Sequence, residues 1–566
     1  MNLPQQQRPP RSIAIANGGV ALLILVVVAA FGVAVSRSAP PPIAAFAPEV
    51  QQHAHQKSLQ GQQNAGALGA STPTGVPTSP APTAAGTTPT PRPTPTQNLL
   101  AGRPASVRCY GSPPRQIEDP QSPPCKQSFD GDNGGATAPG VSRDTIRIAW
   151  PHLDKGFPPP DDDRVVQDLT NYMNAHFQFY GRKIAVVPVT VTGGAFGTAS
   201  AQEQVADADA VAGSGAFASI GYAPEGGTAY YYDNELARRG VVSINSAPLL
   251  QTEAQLAATQ YTWSTVPGYD RVEANLGNLY CRQLKGGRPA YAGPPTPPAT
   301  SWGSRKVAVY YETTTNGIPV DAQPLVDTLN ACGEQVTGQA LSGGKETAAV
   351  NDMQQHGVTT VACLCSATQL GPLMNAASNQ AYFPEWLVSN EQFLTYDASP
   401  QASFPAQQQG HVIGVDFNNE VLDPQNEFWY RAVREVDPAF AYQQTSQNIY
   451  SYYRYEELLL LADGIQQAGP ALAASSFQQG LYATQFANTG HGAAPYYQAA
   501  VSFAPGKHSF YDDAAAVWYS AAAQSYTTNQ GNPGSYCYSR GGQRSVDWSR
   551  PPPPAFYDTS TACRGG

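Results

Sequence analysis

Two hydrophobic patterns alternate along most of the chain, namely short apolar runs and longer segments with an apolar residue at every third or fourth position. The run TTVACLC at residues 359–365 is rich in small and β-branched residues, which is typical of a strand covered on both faces. The next segment places Leu370 and Leu373 on one stripe of a helix. A second strand follows at 385–390. Residues 357–390 therefore predict a βαβ unit, whose loop lies at the carboxyl edge of a parallel sheet.

The same alternation extends to both sides of this unit. The predicted strands lie at 145–150, 184–191, 217–221, 241–245 and 261–266 in a first set, at 306–312, 335–341, 359–365, 385–390 and 411–417 in a second, and at 517–520 and 535–539 as closing strands. Strands that alternate with helices predict an α/β fold with parallel sheets. Two successive sets predict two Rossmann-like lobes with an interlobe cleft, which could close on a small molecule.

The amino-terminal end carries an apolar run, residues 13–35, that is long enough to span a bilayer. Arg8 and Arg11 precede it, a bias that places the amino terminus in the cytoplasm. A cleaved secretory signal is the alternative, but no good small-x-small cleavage site follows the run. No cysteine occurs before Cys109, which excludes a lipoprotein anchor. We expect residues 1–37 to be a cytoplasmic tip and transmembrane signal anchor of a single-pass cell-membrane protein whose bulk is extracellular.

Changes in amino-acid composition and in the predicted elements divide the rest of the chain into a linker, a lead-in segment and two lobes. Residues 38–105 include PTSPAPTAAGTTPTPRPTPT, which has almost nothing to bury and predicts an extended, disordered linker. Residues 106–140 form a Cys-bounded lead-in segment. We assign 141–268 to lobe 1, 269–390 to lobe 2, and 391–566 to returning segments that complete both lobes and add the carboxyl-terminal strands.

The eight cysteines suit an oxidising compartment. Their spacing suggests three local disulfides, although connectivity cannot be deduced from sequence. The suggested pairs are Cys109–Cys125, Cys281–Cys332 and Cys537–Cys563. Cys363 and Cys365 alternate on one predicted strand, so their side chains point to opposite faces and a bridge between them would require strain. They are expected to pair with other cysteines or to remain buried thiols.

The charge of the chain and the absence of known catalytic motifs exclude several classes of function. Only 13% of residues are charged and the formal net charge is −10, which argues against nucleic acid, because a phosphate backbone selects a basic surface. The sequence contains no G-x-S-x-G, H-E-x-x-H or G-x-x-x-x-G-K-[ST] motif and no paired C-x₂-C set. Glu456 and Glu457 occupy adjacent helical positions and face apart, and His176 lies on an apolar stripe as a packed core residue. We expect no enzyme, no cofactor and no metal site.

Several segments, taken in order, resemble a known family. They are GVSRDTIRIAW, GRKIAVVPV, FASIGYAPEGG, VVSINSAP, YTWSTVPGYD, KVAVYYETTTNG and GVTTVACLCS. In this order they resemble type I periplasmic-binding-like proteins, and are most similar to the Leu/Ile/Val-binding substrate receptors of ABC transporters, in an actinobacterial-looking version. The resemblance covers residues 141–417 well and the remainder loosely. It implies two lobes joined by three crossings, with the ligand held by helix amino-termini and by polar side chains in the loops after the strands.

The resemblance also implies ligand contacts in both lobes. Carried onto this chain, the candidates are Tyr222, Glu225, Ser246 and Ala247 in lobe 1 and Tyr311, Thr314, Ser366 and Glu391 in lobe 2. Two departures matter. Residues 151–163, PHLDKGFPPPDDD, replace the family's Gly-rich or Ser-Gly loop, and Thr315 stands where the family often has an aromatic residue. Branched-chain amino acids are therefore not carried over as the ligand.

Two hypotheses follow, and an enzyme on this fold remains as a third, less favoured one. The leading one is a membrane-anchored solute-binding protein that captures a small polar, amino-acid-like molecule and delivers it to an ABC permease or a membrane sensor. The alternative is a cell-surface module without a transport role, which acts in protein interaction or structure. The predicted anchor favours the alternative to some degree, since receptors of this family in Gram-positive cells are commonly lipoproteins.

Overall fold

The computed structural model describes residues 109–549 with several gaps. The gaps are positions 111, 113 and 115 and the segments 154–161, 194–198, 223–228, 246–250, 294–302, 316–317, 422–426, 443–446, 487–497, 527–532 and 539–543. The described residues belong to one compact unit, Pro89–Gly566. The predicted anchor at 13–35 and the linker at 38–105 lie outside them. In the part of the chain that is described, no helix has both the length and the apolar character that a membrane crossing needs.

The first sheet is fully parallel, with the strand order β2-β1-β3-β4-β5. Its strands are β1 (Thr145–Leu153), β2 (Lys183–Val191), β3 (Ala218–Ile220), β4 (Val242–Ile244) and β5 (Thr262–Trp263), connected by α1 (Asp162–His176), α2 (Ala201–Gly213), α3 (Tyr230–Arg238) and α4 (Glu253–Ala258). This order places a topological switch between β1 and β3. In open α/β sheets, ligands bind outside the carboxyl ends of the strands at such a point.

The second sheet repeats this order and extends it. Its parallel strands, in the order β9-β6-β10-β11-β12, are β6 (Val307–Glu312), β9 (Gly338–Leu341), β10 (Thr360–Leu364), β11 (Glu385–Ser389) and β12 (Val412–Asp416). The antiparallel strands β13 (Ala514–Gln524), β14 (Pro533–Tyr538) and β15 (Arg544–Ser545) continue it beyond β12, and β7 (Thr314–Thr315) pairs with β8 (Ile318–Pro319) in a separate hairpin. The sequence predicted parallel sheets, whereas this sheet is mixed, because β13 enters it from the opposite direction.

Helices complete both lobes. The second sheet carries α5 (Tyr269–Leu279), which continues into a π-helical turn (Tyr280–Leu284), and α6 (Gln323–Ala331), α7 (Glu346–Gln355), α8 (Ala367–Asn379), α9 (Ala398–Ser403) and α10 (Ala406–Gln409). The helices α11 (Phe428–Val436), α12 (Gln447–Ala468) and α13 (Ala474–Ala483) return to the first sheet, where α11 and α12 pack against α1 and α13 packs against α12. The chain thus crosses between the lobes three times, after β5, after β12 and after α13.

The predicted βαβ unit is present as β10, α8 and β11, and all residues of both strands are buried. Leu370 and Leu373 of α8 are fully buried against the sheet, as their spacing predicted. Gly371 is required by packing, since a Cβ at this position would collide with the backbone carbonyl of Ser403. The other predicted strands are also present, with shifts of a few residues at their ends.

Helix α12 is the central helix of lobe 1. Leu458, Leu459, Leu460 and Leu461 are all fully buried, a pattern typical of a helix covered on every side. The lead-in segment covers part of it, because the Tyr455 hydroxyl donates a hydrogen bond to Asp119, 3.0 Å away.

His176 ends α1 and is almost fully buried, so the prediction of a core residue is confirmed. Its ring nitrogens lie 3.2 Å from a Glu118 carboxylate oxygen and 2.5 Å from one of Glu435. Burial alone would lower the pKa of His176, but these two carboxylates outweigh burial and the pKa is raised.

Two predicted disulfides are confirmed, Cys109–Cys125 and Cys281–Cys332. The third prediction, Cys537–Cys563, involves a residue outside the described part of the chain.

The expectation for Cys363 and Cys365 is wrong, because these two residues are joined to each other. Their Cα atoms are 5.3 Å apart, closer than the roughly 6.6 Å that two steps along an extended strand would give. Since β10 ends at Leu364, the backbone leaves the strand before Cys365 and brings the two side chains together.

Candidate functional site

The first turns of α12 lie between the carboxyl edges of the two sheets. On one side, Arg454 lies over the ring of Trp150 in β1, with its guanidinium carbon 5.5 Å from the ring centroid. On the other side, Tyr452 lines a pocket together with Asp416, the last residue of β12. The cleft region is therefore built by both sheets and by one helix that belongs to lobe 1.

An internal ion pair covers the lobe 1 side. Arg454 donates to Glu457 over 2.6 Å, and the Asn245 amide donates to the same carboxylate over 3.2 Å. Both members of the pair are buried. Gly221, directly after β3, has a φ of 67°, and a Cβ there would collide with the Arg454 guanidinium. Asn245, directly after β4, has a φ of 52°, a conformation that is uncommon outside glycine and concentrates at functional sites.

The structure places one predicted lobe 1 residue, Tyr222, inside the lobe. Its ring stacks on that of Tyr232 with centroids 3.7 Å apart, and its hydroxyl donates to Asp207 over 2.7 Å. Burial and the neighbouring Asp207 carboxylate raise the pKa of Tyr222. The hydroxyl thus has an internal partner in this conformation. The other predicted lobe 1 residues, Glu225, Ser246 and Ala247, lie outside the described residues.

In lobe 2, a hydrogen bond connects the loop after β10 to the end of β6. Ser366 precedes α8, and its backbone N–H donates to Glu312, at the end of β6, over 2.9 Å. Its hydroxyl lies 2.8 Å from that of Thr368. Tyr311 is half-buried on β6, and Thr314 begins β7, although its side chain lies outside the described part. The loops after β6 and β10 thus form one polar rim at the carboxyl edge.

Glu391 directly follows Asn390 after β11 and is almost fully buried. Burial raises its pKa to about 8. Burial and the charge of Glu391 also raise the pKa of Glu273, on α5, well above its ordinary value. Within the described residues, Glu391 Oε2 and Glu273 Oε1 have no hydrogen-bond partner. Gln392 and Phe393, next in the chain, both have positive φ angles of 55° and 61°, which marks a strained turn beside this carboxyl pair.

A pocket with about 610 Å³ of empty space, part of it open to solvent, lies between the carboxyl edge of the second sheet and the α11–α12 side of lobe 1. Much of its lining is aromatic. The aromatic residues are Tyr396, Trp429, Tyr442, Tyr452, Tyr536 and Tyr538. The pocket adjoins the crossing that follows β12, so residues of both lobes contribute to its wall.

Three carboxyl groups also line this pocket, those of Asp397, Asp416 and Glu427. Burial raises the pKa of Asp416 to about 6. The Asn418 backbone donates to one Asp416 oxygen over 3.0 Å, and the Tyr538 hydroxyl lies 3.3 Å from the other. The sequence prediction missed all of these residues. The available signal was the dense aromatic and acidic composition of EFWY and YSYYRYEE, together with an aspartate that ends a predicted strand.

Two sheets with the same order of parallel strands, three crossings and a pocket lined from both sides define a two-lobed α/β fold. No protein-family model and no curated protein matches the sequence. The chain is similar in structure to an ABC-transporter substrate-binding protein from Aeropyrum pernix, with 14% identity over 73% of this chain and 97% of that one and a TM-score of 0.46. It is also similar to a type 1 periplasmic binding protein from Bordetella pertussis (14% identity, 69% and 99% covered, TM-score 0.46).

A third similar structure is the branched-chain amino acid transporter substrate-binding protein from Streptococcus pneumoniae in complex with isoleucine, with 13% identity, 70% and 99% covered, and a TM-score of 0.43. All three TM-scores lie below 0.5, so the role and the ligand have to be argued from the residues of this chain.

Proposed function

We propose that this protein is an extracytoplasmic solute-binding protein that holds a small polar, amino-acid-like molecule between its lobes. The observation that carries the proposal is the pocket whose wall combines Asp416 of the second sheet with Trp429 and Tyr452 of helices packed on the first lobe. A pocket lined from two lobes can change volume when the lobes rotate about their crossings, which is how a ligand is enclosed.

The remaining parts of the proposal come from the sequence. Residues 13–35 anchor the chain in the cell membrane, and 38–105 tether the lobes on the outer side. The bound molecule is passed to an ABC permease or registered by a membrane sensor. Three internal disulfides within the described residues suit an extracellular location.

Ligand-dependent thermal unfolding of the full-length protein in detergent tests the proposal. A ligand that binds only the native state raises the melting temperature in proportion to the logarithm of its concentration. We expect at least one compound to do so in a panel of amino acids, amides, amines, sugars and short peptides. The shift should shrink in Trp429→Ala and persist in Tyr110→Ala, which alters an exposed aromatic residue. A panel without any shift would overturn the proposal.

One observation favours the alternative of a surface module without transport. The chain's own Arg454 and Glu457 occupy the carboxyl edge of the first sheet beside Gly221, where the family resemblance places ligand contacts. A stable protein partner captured by cross-linking on intact cells, together with a panel that gives no shift, would support this alternative.

A further inference from the structure

The ionisable side chains that line the pocket are acidic. Asp397, Asp416 and Glu427 line it, and the described residues of its lining include no lysine, arginine or histidine. The positive charge of Arg544 favours the ionised form of Asp416. However, the N–H donors of Arg544 bind other groups. They bind the Asp513 carboxylate at 2.9 Å and the backbone carbonyls of residues 417, 418 and 513 at 2.6–2.7 Å. An anionic ligand would therefore meet carboxylates without a compensating cation.

Two of the lining tyrosines have hydroxyls that are bound within the protein, so the aromatic ring is what each of them can offer a ligand. Tyr442 donates to the carbonyl of Tyr526 over 2.6 Å, and Tyr536 donates to the carbonyl of Leu394 over 2.7 Å. Trp429 lies against Tyr442, with ring centroids 5.9 Å apart and planes inclined by 30°. Aromatic faces attract cations, and tryptophan does so most strongly.

A separate observation points to a hydrogen-bond donor as ligand. Asn418 is more than nine-tenths buried and lines the pocket. Its amide nitrogen donates to the Tyr396 hydroxyl over 3.2 Å, whereas no described residue donates to its Oδ1. A buried acceptor without a donor is costly unless a ligand or water supplies one. The same wall thus offers aromatic faces, carboxylates and a vacant acceptor.

We propose that this pocket binds a small organic cation, a primary or quaternary alkylammonium compound, between Trp429 and Asp416. The inference deepens the proposed function and rests on it. A bound metal ion fits the residues less well, since no group of three or more potential ligands gathers at any point of the described chain. An ammonium group satisfies the aromatic faces through its charge, and a protonated amine also donates to Asn418 Oδ1.

Isothermal titration of the full-length protein in detergent with choline and with its neutral isostere, 3,3-dimethyl-1-butanol, tests the inference. The two probes share one shape and differ in charge. We expect choline to bind at least about tenfold more tightly, the size of a partly desolvated cation–π contribution. Equal affinity for both probes, or a preference for an anion such as succinate, would overturn the inference.

Two variants locate the site. Trp429→Ala and the isosteric Asp416→Asn should each weaken choline binding by about tenfold or more, whereas the controls Tyr110→Ala and Asp130→Asn, both exposed, should leave it unchanged. If Trp429→Ala does not fold, Asp416→Asn alone tests the location of the site. Choline binding that survives both variants would contradict the inference.

The outcomes for the two proposals are distinct. If a neutral or anionic solute raises the melting temperature and no ammonium compound does, the organic-cation inference fails while the solute-binding function stands. If no compound of any charge does so, both fail.

Discussion

Gln121 and Asn419 form a reciprocal pair of side-chain hydrogen bonds, although 298 positions separate them in sequence. The Gln121 amide donates to Asn419 over 3.2 Å, and Asn419 donates back over 3.1 Å. Asn419, on the crossing after β12, also donates to Glu456 of α12 over 3.1 Å and accepts from the backbone N–H of Ala499 over 2.8 Å. The lead-in segment is therefore bound to the region where the chain passes between the lobes.

This pair predicts that the lead-in segment stabilises the folded lobes. Gln121→Ala removes both bonds and leaves buried groups of Asn419 and Ala499 with fewer partners, since Gln121 also donates to the Ala499 carbonyl. We expect the free energy of unfolding to fall by about 1–3 kcal/mol, measured by urea denaturation. The control Gln127→Ala changes an exposed side chain of the same segment and should cost almost nothing. Equal losses in both variants would show that the pair has no special role.

The buried carboxyl of Glu391 predicts a stability that depends on pH. Its pKa is about 8 in the folded protein, against an ordinary value near 4.5. Below about pH 4.5 the group is protonated in both states. Above that, the unfolded chain ionises first while the folded protein keeps its proton, so the free energy of unfolding falls until the pH passes about 8. The slope contributed by one group is at most about 1.4 kcal/mol per pH unit.

Urea denaturation between pH 5 and pH 8 measures this slope. Glu391→Gln should flatten the profile and be more stable than the natural protein at pH 8, because glutamine cannot ionise. Asp130→Asn, at an exposed carboxylate, should keep the natural slope. An unchanged slope in Glu391→Gln would mean that this carboxyl ionises as freely in the folded protein as in the unfolded chain.

The sequence contained enough local information for most of the fold. Continuous apolar runs such as residues 359–365 and 411–417 identify buried strands because the pattern lies within the strand itself. His176 could be assigned to the core because its position on an apolar stripe is also local. Its two carboxylate partners, Glu118 and Glu435, could not be predicted, since they come from segments far apart in the chain.

The pocket escaped prediction for the same reason. Its wall joins residues near 395, 416, 429, 452 and 536, and no motif at a fixed spacing connects them. The adjacent residues Glu456 and Glu457 show what local sequence can predict and what it cannot. Their helical positions predicted that they face apart, and they do, since Glu456 bonds with Asn419 and Glu457 with Asn245. That both would be buried in hydrogen-bond networks depended on tertiary packing.

The disulfides differ in the length of chain that they enclose, which predicts an order of their effects. Cys281–Cys332 links the π-helical turn after α5 to the end of α6 across 51 positions, whereas Cys109–Cys125 spans 16. In the chain-entropy view, these loops contribute about 4 and about 3 kcal/mol. The paired variant Cys281→Ala/Cys332→Ala should therefore lose more stability in urea denaturation than Cys109→Ala/Cys125→Ala. The reverse order would indicate that packing, not loop closure, dominates their contribution.

The buried pair of Arg454 and Glu457 makes a prediction about the lobe 1 side of the cleft. Arg454→Ala leaves the Glu457 carboxylate buried without its cation, which typically costs about 3–5 kcal/mol. The double variant Arg454→Met/Glu457→Gln removes both charges but keeps an acceptor for the Asn245 amide, so it should regain most of that loss.

Urea denaturation of the single and double variants, completed by Glu457→Gln alone, gives the coupling energy of the pair. A loss below about 1 kcal/mol in Arg454→Ala is what a solvated surface pair would give, and it would contradict burial of this pair. The double variant has a second use, because it removes the ion pair that covers the carboxyl edge beside Gly221. If that edge retains a ligand site, the double variant should bind solutes with an altered preference for charge. A binding profile identical to that of the natural protein would place recognition in the aromatic pocket around Trp429.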